Sequence, residues 1–379
     1  MHKYLKTTSF QSFLHPGTIR HGLPALAYTS KAFHTLENER LFPRAWVFVG
    51  FAHEMPKRGD VRPVTVAGKP VLLVRGEEGT DGAGGRIAAF HNVCRHRCLK
   101  LVDAPGNAGR MIRCPYHSWA YDLDGALRAA PYFGGGDNRP PAGFDMKENG
   151  LAAIPCEVWH DWIFVNLDGA AMPFDEFIAP LAAQLAHLNF AQLKPVAMLD
   201  FGAVGTNWKF LMENFIEPYH VQFVHSTTTD LPLTDHTPFI DRHCLGCKAE
   251  VPKDRLPPGR TDTLAVDSSY YTLFPNFVLA TYAPDELGVH LNTALEAGRT
   301  HQRRAIYLLR DNDAPGGEVE ALRDLWGKVH QEDHAMCERL QLGRHSMVAE
   351  DGGWLSPAWE ISVRRFQELV YDAVQDAPK

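Results

Sequence analysis

Two short stretches of this 379-residue sequence decide its fold: residues 92–97 read Asn-Val-Cys-Arg-His-Arg, and residues 113–119 read Arg-Cys-Pro-Tyr-His-Ser-Trp. Each stretch offers one thiolate and one imidazole, the first as Cys-x-His and the second as Cys-x-x-His. Both groups bind transition metals, so the two stretches together predict a metal centre. The four candidate ligands are Cys94, His96, Cys114 and His117.

The order of these ligands along the chain separates two kinds of metal site. In a two-iron cluster, one iron can take both cysteines and the other both histidines, which raises the reduction potential above that of an all-cysteine cluster. A tetrahedral zinc site uses the same ligand types, but zinc modules usually pair Cys with Cys and His with His along the chain. The alternating order therefore favours the iron–sulfur cluster.

The two stretches closely resemble the cluster loops of the Rieske [2Fe-2S] domain. The resemblance includes the linker 101–110, and residues 120–125 predict a strand and turn that close the second loop. It implies that the four candidate ligands hold the cluster. Cys98 departs from the pattern, since a glycine usually follows the position of Arg97. Because the four ligand positions are already filled, we expect Cys98 to be a buried thiol outside the cluster.

The composition narrows the classes of partner. The chain has 38 Lys and Arg against 45 Asp and Glu, a formal charge of −7. This acidic excess offers no basic stripe for nucleic acid and no cationic face for anionic lipid, so a small substrate and protein redox partners are expected. We expect no membrane span and no signal peptide. Seven scattered cysteines, an odd number, indicate a reducing compartment, and we expect the cytoplasm.

The pattern of secondary structure changes part-way along the chain. Short β-rich runs at 45–50, 70–75 and 162–167 alternate with Gly, Pro and Asp turns at the spacing of a β-sandwich. Amphipathic helices follow, mixed with strand-like runs, which predicts a separate α+β domain. The predicted helices cover 174–188 and 318–343, and the predicted strands 277–282 and 305–309. The predicted division is a helical segment over 1–44 with a helix at 33–41, a cluster domain over 45–165 and an α+β domain over 166–379.

Two further features are predicted to be loops. Cys244 and Cys247, preceded by His243, form a single C-x-x-C without a downstream partner pair. A surface loop with two unpaired thiols is therefore favoured over a second metal site at this position. The Gly/Pro-rich stretches 134–141 and 252–259 are also predicted to be loops.

A candidate second metal site lies within residues 207–225, whose apolar positions recur at helical spacing. His220 and His225 are five residues apart, so in an ideal helix they point roughly 140° from one another. Both reach one metal only if the helix ends or distorts between them, and Pro218 lacks the backbone donor that a regular helix needs. A second face of the predicted helix carries Glu213, Glu217 and His220.

The long helix predicted over 318–343 supplies a third ligand. Asp333 lies on its apolar stripe, where a carboxylate is costly unless it is paired, hydrogen-bonded or metal-bound. Its neighbour Glu332 points about 100° away, towards the polar side. We therefore choose Asp333, and the alternative is a structural salt bridge to an arginine such as Arg304. The stripe consists of Leu322, Leu325, Trp326, Val329, Met336, Cys337 and Leu340.

Two histidines and one carboxylate leave positions on an iron open for dioxygen and substrate. With the cluster loops and the stretches 207–225 and 331–338, the chain resembles the large (α) subunit of Rieske non-haem iron oxygenases. The resemblance implies an α+β fold, in which a Rieske β-sandwich domain joins a helix-grip (START-like) catalytic domain. It also implies that His220, His225 and Asp333 hold a mononuclear Fe(II).

In this family the carboxylate three residues before the first histidine, here Glu217, bridges between the two metal centres. Asn214, one turn earlier, is a candidate to orient that carboxylate, and a purely structural amide is an open alternative. Glu rather than Asp at the bridging position is more similar to the branch that acts on choline, carnitine and proline betaine. Arene dioxygenases usually carry Asp there.

The resemblance implies the terminal oxygenase of a multicomponent system. A separate flavin or iron–sulfur reductase, or a ferredoxin, brings electrons from NAD(P)H, and the iron uses O2 to oxidise a small organic substrate. No Gly-x-Gly-x-x-Gly follows a strand, so flavin and nicotinamide belong to another protein. The family's quaternary plan implies a homotrimer. Two alternatives are an arene-ring dioxygenase α subunit, with or without a small β subunit, and a non-catalytic Rieske electron carrier with a ligand pocket.

The aromatic side chains of the C-terminal half are candidates for the substrate pocket. Some are expected in the core. Others could surround a methylated ammonium group by cation–π attraction, or line a flat slot for an arene. The candidates are Phe210, Phe215, Tyr219, Phe223, Tyr270, Tyr271, Phe277, Tyr282, Trp354 and Trp359.

Overall fold

The computed structural model describes residues 8–76, 85–136, 139–228, 232–249, 268–282, 285–310 and 316–375. The chain divides into two compact units. Phe42–Phe174 forms one, and Met1–Leu41 together with Asp175–Lys379 forms the other. We call them the cluster-loop unit and the seven-stranded unit. The predicted three-part division stays a prediction. The loop predicted at 252–259 lies outside the described residues, as do residues 137 and 138 of the other predicted loop.

The secondary structure consists of strands of 2 to 12 residues and helices of 4 to 26 residues. The strands are β1 (Arg20–His21), β2 (Val47–Phe51), β3 (Asp60–Val66), β4 (Lys69–Arg75), β5 (Ile87–His91), β6 (Gly106–Asn107), β7 (Ile112–Arg113), β8 (Ala120–Tyr121), β9 (Leu127–Ala129), β10 (Ala153–Ile154), β11 (Cys156–Trp159), β12 (Trp162–Val165), β13 (Leu193–Val204), β14 (His236–Asp241), β15 (Cys244–Ala249), β16 (Ser268–Leu273), β17 (Phe277–Tyr282), β18 (Glu286–Glu296), β19 (Arg299–Leu309) and β20 (Trp354–Leu355). The helices are α1 (Thr8–Leu14), α2 (Leu26–Thr29), α3 (Lys31–Leu36), α4 (Phe174–Leu185), α5 (Trp208–Ile216), α6 (Val221–Val224), α7 (Glu318–Gly343) and α8 (Ile361–Val374). In the described part of the chain, no helix is long and apolar enough to cross a bilayer.

The cluster-loop unit consists of antiparallel sheets. A five-stranded sheet has the order β10-β5-β4-β3-β6, and two three-stranded sheets have the orders β11-β12-β2 and β7-β8-β9. The strands predicted at 45–50, 70–75, 120–125 and 162–167 are confirmed as β2, β4, β8 and β12. Residues 71–74 of β4 and all of β12 are buried, which suits their continuous runs of apolar side chains.

The seven-stranded unit packs a large antiparallel sheet against helices, and β1 and β20 form a separate antiparallel pair. The sheet order is β13-β19-β18-β17-β16-β15-β14. Helix α5 contacts β15, β16 and β18, α7 contacts β13 and α5, and α8 contacts β14 and β15. The predicted helix at 318–343 and the predicted strand at 277–282 have the observed bounds of α7 and β17. This is the predicted helix-grip arrangement, in which the sheet holds long helices against its face.

The buried line of α7 differs in part from the predicted stripe. Leu340 is 47% exposed, so its assignment to the stripe was wrong. His330 and Gln341 are buried instead, because steps of four and three residues keep one helix face inward. Nδ1–H of His330 donates to Gln302, and Gln341 accepts the backbone N–H of residue 207. Nε2 of His330 is buried and has no hydrogen-bond partner in the described part of the chain. The buried positions on α7 are Leu322, Trp326, His330, Cys337 and Gln341.

Cys244 and Cys247 lie in a buried strand, so the prediction of a surface loop was wrong. They belong to β15, which pairs with β14 on one side and β16 on the other, and both are almost fully buried. A Cβ at Gly246 between them would collide with the backbone of Tyr270, so only glycine allows this close strand pairing. Burial raises the pKa of the Cys244 thiol to about 12 and that of Cys247 further. Both thiols therefore act as small apolar groups.

Within the seven-stranded unit, a buried ion pair holds the N-terminal segment against helix α5. The helix predicted over 33–41 is confirmed as α3 and the π-helical turn Glu37–Leu41. Lys209 on α5 donates to Glu37 at 2.5 Å, and both side chains are 0% exposed. Burial alone would raise the pKa of Glu37, but the charge of Lys209 outweighs it and lowers that pKa. Lys209 also lies 5.2 Å from the ring of Tyr28.

Replacing Lys209 by methionine should destabilise the protein by about 3–5 kcal/mol, because the carboxylate of Glu37 would stay buried without a partner. Urea unfolding followed by circular dichroism measures the change. The double variant Lys209→Met/Glu37→Gln should recover most of the loss. The exposed pair of Arg299 and Glu296 is the control, since Arg299→Met should cost less than about 1 kcal/mol. Equal losses of unfolding free energy in Lys209→Met and Arg299→Met would show that the buried ion pair contributes no more than the exposed one.

Candidate metal centres and the cavity

The two cluster loops share one backbone geometry. The N–H of Cys94 donates to the carbonyl of Leu99 at 2.8 Å, and the N–H of Cys114 donates to the carbonyl of Trp119, also at 2.8 Å. Each cysteine therefore begins a closed turn that ends five residues later. The histidine is the third residue of the first turn and the fourth of the second. The two Cys/His stretches thus form turns that are closed by equivalent backbone hydrogen bonds.

Cys98 is exposed, so the expectation of a buried thiol was wrong. Its N–H donates to the carbonyl of Cys94 at 3.0 Å, and its φ is +57°. Ser118 occupies the equivalent position of the second loop, with φ +56°. Glycine adopts this left-handed backbone without the steric cost that a Cβ adds. The turn itself therefore explains why a glycine is the expected residue at position 98.

The four candidate cluster ligands differ in burial. The side chains of Cys94 and Cys114 are 1% and 2% exposed, whereas His117 is exposed and His96 is half-buried. The two imidazole rings lie 4.7 Å apart, and His96 stacks on Trp119 at 5.0 Å. Two buried thiols beside two more accessible imidazoles fit the ligand set of a Rieske cluster. The assignment of these four ligands remains our proposal.

Tyr121 is a residue of this site that sequence reasoning missed. Its hydroxyl lies 3.3 Å from the sulfur of Cys94 and accepts the N–H of Arg95 at 3.0 Å. Burial raises the pKa of the Cys94 thiol, and the hydroxyl of Tyr121 opposes that rise. Hydrogen bonds to cluster sulfurs tune the reduction potential, so Tyr121 is placed to do so. Its position directly after the second loop was the available signal.

The backbone between the two candidate iron histidines differs from the predicted helix. Helix α5 ends at Ile216, and Glu217 is extended at φ −114° and ψ 137° because proline disfavours a helical residue before it. Helix α6 then lies between His220 and His225, which flank it. The break therefore precedes both histidines, and its predicted position between them was wrong. The rings of the two histidines are 5.2 Å apart.

The structure brings the three predicted iron ligands together. Nε2 of His225 lies 3.0 Å from Oδ1 of Asp333, and Nε2 of His220 lies 3.6 Å from the same oxygen. One ligand atom from each residue lies within 4.8 Å of the others. Oδ1 of Asp333 is buried and makes no hydrogen bond of normal geometry. Two imidazoles facing an otherwise unbonded carboxylate oxygen fit a divalent iron.

The alternative salt bridge between Asp333 and Arg304 does not form. The guanidinium of Arg304 lies 3.6 Å from Glu286 and 2.9 Å from Nε2 of His290 instead. Asp333 is thus left to the two histidines, which is the arrangement that the apolar stripe of α7 indicated.

A second carboxylate orients each of these histidines. Oε1 of Glu217 lies 2.6 Å from Nδ1 of His220, and Oε2 of Glu332 lies 2.8 Å from Nδ1 of His225. This pattern fixes the tautomer and direction of metal-binding imidazoles. Burial alone would lower the pKa of His225, but the carboxylates of Asp333 and Glu332 raise it to about 9. The three carboxylates around the two histidines, on Glu217, Glu332 and Asp333, together favour a bound cation.

Glu332 was expected on the polar side of α7, and that expectation was wrong. Its Oε2 also accepts a hydrogen bond from Thr228 at 3.0 Å, which holds the carboxylate against His225. Glu213, expected on the same face as Glu217 and His220, is buried and accepts a hydrogen bond from Tyr28 at 2.7 Å. Both misplacements follow from contacts between segments more than 100 residues apart in sequence.

Glu217 and Asn214 both line the cavity beside the three iron ligands. Glu217 accepts the backbone N–H of Tyr219 and of His220, the latter at 3.1 Å, in addition to its contact with the imidazole. These bonds hold its carboxylate within the turn after α5. The bridging role of Glu217 and the orienting role of Asn214 remain proposals.

The cavity has an empty volume of about 660 Å³, including the part open to solvent. Phe215, Tyr270, Tyr282 and Trp326 form its aromatic wall, with successive ring centroids 5.8, 5.7 and 4.5 Å apart. Three of these were predicted as candidates, and Trp326 was assigned only to the helix stripe. Among the other candidates, Phe223 and Trp354 are 67% exposed.

Residues 186–376 match the family model of the ring hydroxylating alpha subunit (catalytic domain), and residues 45–138 match that of the Rieske [2Fe-2S] domain. The chain belongs to the Rieske ring-hydroxylating oxygenase family. Membership confirms the family resemblance, the fold class and the pairing of a Rieske [2Fe-2S] domain with the catalytic domain of a non-haem iron oxygenase.

Two relatives and one solved structure illustrate what this chain is similar to. The glycine betaine monooxygenase oxygenase subunit of Chromohalobacter salexigens is 34% identical over 54% of this chain and 43% of its own length. The chain therefore spans less than half of that relative. Choline monooxygenase of Beta vulgaris is 26% identical over 93% of this chain and 77% of its own length. A crystal structure of the quaternary ammonium Rieske monooxygenase CntA shares the fold, with a TM-score of 0.79, 22% identity and coverage of 94% and 96%.

Asp333→Ala should remove the mononuclear iron and the turnover, while the visible absorption and paramagnetic resonance signal of the cluster remain. The two metal sites use separate ligands, so iron content should fall from about three to about two atoms per chain. Metal analysis and spectroscopy measure both. Asp324→Ala, an exposed carboxylate on the same helix, is the control and should keep all iron. Full iron content and activity in Asp333→Ala would exclude it as a ligand.

Proposed function

We propose that this chain is the terminal oxygenase component of a multicomponent Rieske oxygenase. It uses O2 and electrons from NAD(P)H, delivered by a separate reductase or ferredoxin, to hydroxylate or N-demethylate a small quaternary ammonium or N-methyl compound. The convergence of His220, His225 and Asp333 in an aromatic-walled cavity carries this proposal. A non-catalytic electron carrier with a ligand pocket would need no such ligand set.

When bound, the cluster would supply single electrons and the iron would supply dioxygen activation. The residues of the chain prepare the site for that chemistry. Nδ1–H of His220 donates to Glu217 and Nδ1–H of His225 donates to Glu332, so both Nε2 lone pairs are directed towards one point beside Asp333. Burial keeps the lining thiol of Cys247 protonated, since its pKa is well above the usual range.

The substrate class rests on chemical complementarity and on relatives. Phe215 and Tyr270 line the cavity, and a methylated ammonium gains about 0.5–2 kcal/mol per cation–π contact with such rings. Burial raises the pKa of Tyr270 well above its usual range, so this ring stays neutral and its face remains an electron-rich surface. The names of the glycine betaine and choline monooxygenases, and a glutamate at position 217, support the same class.

The proposal includes a quaternary arrangement and partners. A homotrimer would bring the cluster of one subunit towards the iron of the next, with Glu217 between them. The exposed His117 suits such a contact, because its ring can meet a partner without rearrangement of the loop. The seven cysteines are unpaired, which agrees with the expected reducing compartment, the cytoplasm.

A substrate panel with a surrogate reductase tests the function. At least one compound of a panel of betaines, choline and carnitine should give coupled oxygen uptake and release formaldehyde or a demethylated amine. Replacing the quaternary nitrogen by neutral carbon should slow the oxygen uptake sharply, because cation–π attraction requires the charge. A cis-diol from an arene would replace this substrate class by the arene-dioxygenase alternative. No coupled uptake with any compound, in protein that holds both metals, would contradict the oxygenase proposal.

Glu217→Gln should keep both metal centres but reduce product formation by at least about tenfold, since partners of metal-binding histidines commonly contribute 10–100-fold. Glutamine can still accept from Nδ1–H of His220, so the iron content should be unchanged. Single-turnover measurement of electron transfer from the cluster identifies the affected step. Glu217→Asp should restore part of the rate. Wild-type turnover in Glu217→Gln would exclude the bridging role.

A further inference from the structure

A buried arginine contributes to the wall of the cavity that holds the iron ligands. Arg304, in the middle of β19, is 1% exposed and lines the cavity together with Asp333. Its guanidinium lies over the ring of Trp326 at 3.6 Å, and its Nη1 donates to Nε2 of His290 at 2.9 Å. A charged side chain at this depth needs an acceptor for its remaining N–H groups.

The chain supplies too few acceptors for this guanidinium. Nε and Nη2 of Arg304 are buried and make no hydrogen bond. The nearest carboxylate oxygen, on Glu286, is 3.6 Å from Nη2, which is too long for a hydrogen bond, and the same oxygen accepts the indole N–H of Trp326. Glu286 is the ion-pair partner of Arg304, but Nε and Nη2 still have no acceptor at hydrogen-bond distance. Arg304 therefore keeps buried donors that its neighbours do not satisfy.

The aromatic wall has two ends with different electrostatic character. Arg304 lies against Trp326 and 5.7 Å from the centroid of Tyr282, so these two rings already hold a cation. A second cation next to them would be repelled. Phe215 and Tyr270, at the other end of the series of rings, make no such contact in the described part of the chain and remain suited to an ammonium group.

We propose that Arg304 binds an anionic group of the substrate, so that the substrate is an organic acid with a carboxylate or similar group and not a simple cation or a neutral arene. This inference rests on the proposed function, because it takes the cavity as the substrate site. A guanidinium binds carboxylates through two parallel hydrogen bonds, and Nε with Nη2 forms such a pair of donors. Combined with the ammonium end, the geometry selects a zwitterion such as a betaine.

Matched ligand pairs test the anion site without any mutation. Glycine betaine and choline differ by a carboxylate in place of a hydroxymethyl group, and so do benzoate and benzyl alcohol. Calorimetric titration of the metal-loaded protein should show the acid of at least one pair binding about tenfold or more tightly than its alcohol, as charge-assisted hydrogen bonds require. The pair that shows the preference identifies whether the acid is a betaine or an aromatic acid. Equal affinities within both pairs, or no binding by either acid, would overturn the proposal.

Variants then assign the preference to Arg304. Arg304→Gln should remove the preference for the acid over the alcohol, and Arg304→Lys should keep part of that preference. Gly288→Ala should weaken the preference, since a Cβ at 288 would lie 2.6 Å from Cζ of Arg304. Arg303→Gln is the matched control, because Arg303 faces Asp200 at 4.0 Å and does not line the cavity. Its ligand affinities should be those of the wild type. Removing Arg304 leaves the carboxylate of Glu286 buried without its ion-pair partner, which could prevent folding. The double variant Arg304→Gln/Glu286→Gln removes that buried charge as well, and circular dichroism checks the fold of each variant.

The outcomes separate this inference from the proposed function. An undiminished acid preference in a folded Arg304→Gln variant would overturn the anion site, even if the enzyme oxidises its substrates. Oxygen uptake coupled to choline with the affinity of glycine betaine would do the same and leave the oxygenase standing. An Arg304-dependent preference for acids without oxidation of any compound would support the anion site and contradict the oxygenase.

Discussion

The candidate iron site depends on the break in the backbone at Glu217 and Pro218. Helix α5 is almost entirely buried, and a continuation would carry His220 and His225 to different sides of that helix. The extended residue Glu217 changes the direction of the chain after α5. His220 and His225 then lie at the two ends of the short helix α6. Their rings lie 5.2 Å apart in an edge-to-face arrangement, and Asp333 reaches both from α7. The local constraint on φ and ψ before Pro218 thus ends the buried helix α5 before both histidines.

The seven-stranded unit also shows how charged groups are kept inside a protein. Lys209 and Glu37 form a pair without solvent contact, and Glu213 is bonded to Tyr28. Each of these groups has a partner from a distant part of the chain, as burial of charge demands. Arg304 has two buried donors without an acceptor, and unlike Lys209 and Glu37 it lines the cavity. An incompletely bonded guanidinium at that place indicates function more than structure.

Local patterns in the sequence were sufficient for the cluster loops and for most elements of the fold. The spacing of Cys and His in each loop lies within a few residues, and helix α7 follows from a periodicity that extends over its whole length. The same reasoning selected Asp333 over Glu332 because a carboxylate on an apolar stripe needs a reason to be there. In each case the signal and the structure that it determines are close in sequence.

Contacts between distant segments limited the remaining predictions. The burial of Cys244 and Cys247 depends on strands that pair with β15 on both sides, and the contact of Glu332 with His225 depends on the packing of α7 against the α5–α6 region. The position of the helix break was missed by a few residues, since a proline indicates that a helix ends but not how the following residues turn. The exposure of Cys98 follows from a left-handed turn, which only the hydrogen bonds of the loop reveal.

Gly288 gives the cavity an unusual kind of adaptability. Strands β18 and β19 pair beside Arg304, and the guanidinium occupies the space that a side chain at residue 288 would fill. The charge of the cavity is therefore controlled by the smallest residue on a neighbouring strand as well as by the arginine itself. One added methyl group is enough to compete with the guanidinium for its place on Trp326. A descendant of this protein could thus change the charge it accepts through one nucleotide substitution at a position that never touches the ligand.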